Sequence, residues 1–167
     1  GESANALNLR RLIPTESGME IIFQYSGRQF SIPLKVEGYF QAMNILCAAG
    51  LAIASGSPSE KVFEHLKDLR PIPGRLEFCG FSKTEAKIYV DYAHTPDALT
   101  AALFSLRELT ENKITLVFGC GGGRDRFKRP IMGEIAENFA DGIIVTDDNP
   151  RNEDSDKIRK SILETCP

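Results

Sequence analysis

A chain of 167 residues, 42% hydrophobic and 26% charged, has the make-up of an ordinary globular protein with room for one sizeable domain or two small ones. Its formal net charge of −3 lacks the basic field of a general nucleic-acid binder, and no apolar run approaches the roughly 20 residues that span a bilayer. Cys47, Cys79, Cys120 and Cys166 form no Cys-x-x-Cys pair and no zinc-ligand spacing, which leaves buried, reduced thiols in a cytosolic protein as the expectation.

The residues before Leu7 read as loose. Residues 19–25 and 29–34 are strand-like and are joined by Ser26-Gly27-Arg28, a hairpin turn. Residues 40–55 form a helix of small and apolar residues that stops at Gly56. Asn44 is a poor helix former within it, which predicts a polar contact there. Ser57-Pro58-Ser59-Glu60 signals the next helix, with Ser57 as N-cap, Pro58 in the first turn and Glu60 closing a capping box, and the helix should run to about Leu69. Arg70-Pro71-Ile72-Pro73-Gly74 then breaks all regular structure and marks a domain boundary, giving parts 1–73 and 74–167.

Beyond the break the rhythm changes. Residues 76–81 and 87–91 are strands around a polar turn, and Thr95-Pro96 caps a helix through Leu109. Residues 114–118 are a buried-type strand, Pro130 opens a helix to about Ala140, residues 142–146 form another buried strand, and Asp154 or Ser155 caps a last helix. Strands alternating with helices predict an α/β fold with a mainly parallel sheet. A doubly wound sheet would continue past Cys166-Pro167, so the C-terminal end is expected to be cut.

In a parallel sheet, ligands bind beyond the carboxyl ends of the strands. Three loops fall at such ends: Asp91-Tyr92-Ala93-His94-Thr95-Pro96, then residues 119–129, then Asp147-Asp148-Asn149-Pro150-Arg151. The last two should face one crevice. Arg124 and Arg151 there suit a carboxylate or phosphate, Asn149 offers both a donor and an acceptor, and Pro150 stiffens the backbone beside it. Gly119–Gly123 is either a cradle for an anion or a tight turn; it matches neither a Walker loop nor a dinucleotide fingerprint. The run from Arg124 to Arg129 reads as a solvated basic face with Arg124 best placed to bind. Cys120 has no histidine near it in sequence and is read as a small side chain rather than a nucleophile. Asp91 suits ribose hydroxyls, His94 can lie against a base, and Arg75 adds a guanidinium at the boundary.

These residues together resemble the Mur ligases of peptidoglycan synthesis. The resemblance rests on Asp91-Tyr92-Ala93-His94-Thr95-Pro96, Gly119-Cys120-Gly121-Gly122 with Arg124-Asp125, Lys128-Arg129-Pro130 and Asp148-Asn149-Pro150-Arg151. It reaches back through Pro73-Gly74-Arg75-Leu76-Glu77 to Gly38-Tyr39-Phe40-Gln41-Ala42-Met43-Asn44. Departures are Gly123 where an Asp is common, Phe127 where a small residue is common, and Gln41 for a frequent Asn.

The resemblance implies a Rossmann-like C-terminal ligase domain over residues 74–167, preceded by the C-terminal piece of the central ATPase domain over 1–73. It implies ATP as co-substrate with Asn44, Arg75, Asp91 and His94 near it, and Mg2+ held by residues of the central domain outside this chain. Arg124, Asp148, Asn149, Pro150 and Arg151 are implied contacts to meso-diaminopimelate, the amino acid added to a UDP-N-acetylmuramoyl-dipeptide through an acyl phosphate. No residue of this chain is implied to be catalytic or to bind metal. A cytoplasmic monomer is implied, with no nucleic acid and no membrane insertion; without a P-loop the 167 residues alone should catalyse nothing. Two alternatives stay open: a folylpolyglutamate or cyanophycin-type amide ligase, and a non-catalytic module binding an amino acid or nucleotide.

Overall fold

The computed structural model describes residues 6–15 and 17–166, so the looseness expected at the N-terminus falls largely outside the described residues. The chain divides into two compact units between Asp91 and Tyr92.

The first unit is built on strands β1 (Asn8–Thr15), β2 (Gly18–Tyr25) and β3 (Arg28–Leu34), paired antiparallel in the order β1-β2-β3. Strict alternation along β2 puts Met19, Ile21 and Phe23 on one face, all buried. Ser26 and Gly27, both with positive φ (48° and 75°), make the two-residue turn that sets Tyr25 opposite Arg28. Pro14 and Pro33 lie on the two outer strands, where a missing N–H leaves the central ladder intact. Helix α1 (Tyr39–Ala54) and helix α2 (Ser59–Leu66) complete the core with Ala42, Leu46, Ala49, Phe63 and Leu66. Phe63 is its aromatic centre, with ring centroids 5.1 Å from Phe23, 4.7 Å from Phe30 and 5.5 Å from Tyr25.

Two local expectations need correction. Residues 8–15, to which the sequence reading assigns nothing, form β1, with a pairing irregularity between Leu9 and Arg11 that blurs its alternation. The capping box at Ser57 does not form: the Pro58 carbonyl accepts from the Val62 amide (3.1 Å), so Pro58 itself is the N-cap and no side chain caps the helix. α2 then ends at Leu66, and the bonds Asp68 N to His65 O and Leu69 N to Leu66 O tighten the exit into turns.

Strands β4 (Glu77–Phe81) and β5 (Lys87–Val90) form an antiparallel hairpin. The turn before it is held by side chains accepting from backbone amides: Glu77 from Gly74 (2.7 Å) and Asp91 from Leu76 (2.7 Å). Leu76, buried and with φ of 48°, needs that support, since a left-handed backbone is costly for a branched residue.

The second unit runs α3 (Pro96–Leu109), β6 (Thr115–Phe118), α4 (Lys128–Phe139), β7 (Gly142–Val145) and α5 (Ser155–Leu163). Thr95 caps α3 through its side chain, with Pro96 in the first turn, and Asp154 caps α5 by accepting from Asp156 N (2.9 Å). α4 begins at Lys128, two residues before the proline expected to open it. β6 and β7 pair in parallel, from Thr115 with Gly142 to Phe118 with Val145, and α4 crosses between them. Among the described residues this is the parallel pairing of the α/β fold. Leu99, Leu103, Ile114, Met132, Ile158 and Ile162 form the core. Asp141 ties the N-terminal end of the strand pair, accepting from Ile114 N and from Arg107 (both 2.8 Å), and these bonds hold its carboxyl below the usual range. The parallel pairing sends the loops after Phe118 and after Val145 out at the same end, where ligands of such sheets bind.

Candidate functional site

Those two loops are joined directly. The Gly122 amide donates to the Asn149 carbonyl (2.9 Å), and Arg151 Nη1 donates to the Gly122 carbonyl (2.7 Å). A Cβ at Gly119 would strike the Thr146 carbonyl, and one at Gly122 would strike the Pro150 carbonyl. These two glycines therefore admit the close approach of the second loop. Gly123 N is also engaged, donating to Glu153 Oε1 (2.6 Å).

The loops line a groove of about 690 Å³ in the second unit. Arg124, Asp148, Asn149 and Arg151 face it, and His94 with Tyr92 form another part of its wall. The structure thus brings together four of the five residues expected to hold an amino acid, together with His94. Pro150, the fifth, is half-buried; its carbonyl accepts from Glu153 N (2.9 Å) and packs at Gly122. Asn149 Oδ1 accepts from Arg151 N (3.1 Å), which turns the chain so that Arg151 adopts φ of 52°. The guanidinium keeps Nε and Nη2 without a bond to another described residue, a donor edge suited to a carboxylate.

The His94 loop is fixed from within the same unit. Lys128 Nζ donates to the His94 carbonyl (2.6 Å), His94 Nδ1 bonds the Tyr92 carbonyl (3.0 Å), and the Tyr92 and His94 rings lie 4.8 Å apart. Phe127, 86% exposed, stands at the rim with Ile131. The groove therefore has a charged wall and an aromatic wall.

Asn44, Arg75 and Asp91 belong to the first unit. Asn44 is exposed on α1 and its side chain makes no hydrogen bond to another described residue; the polar contact anticipated for it is made instead by the buried Gln41, whose amide donates to the Arg75 carbonyl (3.0 Å). Arg75 is exposed beside a second groove, of about 470 Å³, and Asp91 supports Leu76. Cys120 is buried, its thiol against Met132 Sδ (3.8 Å), and burial raises its pKa, a poor setting for a nucleophile. No cluster of three or more potential metal ligands occurs among the described residues.

Sequence reasoning missed one pair. Arg129 was read as part of a solvated face, yet it is 3% exposed and bonds both Glu153 oxygens (3.1 Å each) and the Gly121 carbonyl (3.3 Å). Glu153 is pushed down to about 2, first by Arg129 and then by the Gly123 amide.

Comparison with known proteins follows the same outline. The family model described as "Mur ligase, glutamate ligase domain" matches residues 74–166. A UDP-N-acetylmuramoyl-L-alanyl-D-glutamate–2,6-diaminopimelate ligase from Caulobacter vibrioides is 47% identical over 167 residues, all of this chain and 34% of its own length. A solved structure of a ligase of that name is 31% identical with a TM-score of 0.61, covering 97% of this chain and 33% of the other. A Mycobacterium tuberculosis folylpolyglutamate synthase complexed with ADP and AMPPCP shares the fold, with a TM-score of 0.74 at 22% identity over 96% of this chain and 36% of its own. The chain spans about a third of the length of the curated relatives it matches.

Proposed function

This chain belongs to the Mur ligase family, and from that premise we propose that it works within an ATP-dependent ligase that joins meso-2,6-diaminopimelate to UDP-N-acetylmuramoyl-L-alanyl-D-glutamate. Residues 74–167 serve as the ligase domain that presents the amino acid, and residues 1–73 as part of the ATP-binding domain. The setting is the cytoplasm and the working form a monomer. No helix is long and apolar enough to cross a membrane among the described residues.

In this reading the D-glutamate γ-carboxylate takes the γ-phosphoryl group of ATP, releasing ADP and leaving an acyl phosphate. The amine of diaminopimelate attacks the acyl carbon, loses a proton and expels inorganic phosphate as the amide forms. The groove residues position rather than react. Arg151 and Arg124 pair with a carboxylate of diaminopimelate, while Asp148 and Asn149 receive an ammonium group of it. His94 borders the ATP side, with Asn44, Arg75 and Asp91 as further ATP contacts. Mg2+ would be held by residues of the ATP-binding domain that lie outside these 167.

The observation that carries the reading is the convergence of Arg124, Asp148, Asn149 and Arg151 on one groove. It also favours diaminopimelate, which carries a second ammonium, over the glutamate of a folylpolyglutamate-type ligase, because the acidic Asp125 and Asp148 line the groove together with the cationic Arg124, Lys128 and Arg151. In the full-length ligase carrying this chain, Arg151→Ala should cost roughly 1.5–3 kcal/mol of kcat/KM for diaminopimelate, the value of a charged hydrogen bond, and leave the KM for ATP unchanged. Steady-state kinetics with each substrate varied checks this. Unaltered diaminopimelate kinetics would overturn the assignment.

A further inference from the structure

We propose that Glu153, clamped by Arg129, is the positioning residue that holds Arg151 in its binding geometry. The proposal rests on the reading of Arg151 as the carboxylate contact and adds a residue that touches no substrate.

Arg129 supplies the anchor. It rises from the first turn of α4 with its side chain 4% exposed, and its two terminal nitrogens grip the two Glu153 oxygens in a fork. Glu153 comes from the other loop, two residues after Arg151. Its Oε1 also accepts from Gly123 N (2.6 Å), and Arg126 Nε approaches Oε2 at 3.2 Å. Arg129 Nη2 reaches the Gly121 carbonyl. One ion pair therefore fixes the glycine loop on both sides of Gly122 and fixes the second loop as well.

Gly122 is the link to Arg151. Its carbonyl accepts from Arg151 Nη1 and its amide donates to the Asn149 carbonyl. The backbone of Arg151 sits at φ of 52°, a conformation that persists only where the surroundings over-determine it. Asn149 supplies one restraint from within the loop. The clamp supplies the other, through Gly121, Gly122 and Gly123. An ion pair with one buried partner is by itself a weak source of stability, because desolvation of the arginine offsets most of the attraction. What it provides here is fixed geometry at two links from the guanidinium.

The test uses steady-state kinetics of the full-length ligase carrying this chain, with ATP, the UDP-dipeptide and diaminopimelate varied in turn. The variants are Glu153→Gln, Glu153→Asp, Arg151→Ala and the double variant Arg151→Ala/Glu153→Gln. A misplacement of the order of 1 Å can cost up to ~100-fold, so Glu153→Gln should raise the KM for diaminopimelate by ~10-fold or more, with the KM for ATP within about twofold. In the Arg151→Ala background the same change should add less than about twofold, because the group it positions is gone. Glu153→Asp keeps the charge, shortens the reach and should fall between wild type and Glu153→Gln; it carries the test alone if Glu153→Gln does not fold. A diaminopimelate KM at the wild-type level in the soluble Glu153 variants, or equal losses on all three substrates, overturns the proposal while Arg151→Ala still shows its selective effect. If Arg151→Ala shows no such effect, the reading of the site fails first, and the positioning role falls with it.

Discussion

The two compact units bury polar contacts for different purposes. In the first, Glu77, Asp91 and Gln41 commit their side chains to the backbone of Gly74, Leu76 and Arg75, and the product is a stable turn. In the second, Arg129 and Glu153 spend theirs on Gly121 and Gly123, and the product is a pair of loops whose remaining polar groups line a groove. The same physical device, a side chain satisfying a backbone group, closes a structure in one place and holds a recognition surface open in the other. The difference lies in what is left over.

The largest effect that could break this contrast is in the first unit's core. Phe23, with no exposed surface, should cost about 3–5 kcal/mol on replacement by Ala. Residue-level hydrogen exchange should then show β2 and α1 losing protection while β6, β7 and α4 keep theirs; simultaneous loss in both would show that the units do not act separately. Gly122→Ala comes next. Its new methyl meets the Pro150 carbonyl, an overpacking worth about 1–3 kcal/mol, and the amide resonances of Asn149 and Arg151 should move while those of α3 stay. Unmoved Asn149 and Arg151 amides would mean that the loops are not packed as described.

A smaller effect sharpens the contrast by acid. Glu153 titrates at about 2 in the folded chain against an ordinary value near 4.5. A depressed carboxyl stabilises the fold above its unfolded value and loses that contribution as pH falls through its folded one. The stability gap between wild type and Glu153→Gln should therefore be full at neutral pH and fade between about pH 4.5 and about pH 2. Urea titrations across that window would show it, and a gap independent of pH would refute the clamp's ionic character. The smallest effect is at Asn44. With its side chain exposed and making no hydrogen bond to another described residue, it should change stability by less than ~0.5 kcal/mol on replacement by Ala, in contrast with the buried Gln41 on the same helix.

The second unit was the more legible in sequence, because its elements are punctuated. Thr95-Pro96 and Asp154 mark helix starts, and two short apolar runs each end at a loop carrying an arginine. The clamp was not read because Arg129 stands in a basic run that looks solvated. Helical spacing held the missing signal: with α4 beginning at Lys128, Arg129, Met132, Gly133 and Ala136 share its buried face, so the arginine had to find a partner inside. In the first unit β1 escaped notice because Arg10-Arg11 and Pro14 obscure its alternation and the register shifts after Leu9. The Ser57 cap misled because Ser, Pro and Glu at that spacing fit two frames one residue apart, and the Pro58 carbonyl closes the first turn without help from a side chain.

The placement of sulfur gives the chain a built-in clock. Cys47 and Cys79, both in the first unit, are exposed, whereas Cys120 and Cys166, both in the second, are buried with pKa values raised by desolvation. A thiol reagent should mark two positions at once and the other two only when the second unit opens. Because Cys120 lies between Gly119 and Gly121, its own slow labelling, read apart from that of Cys166, reports how often the loop that carries Gly122 lets go, with no foreign probe attached to the groove.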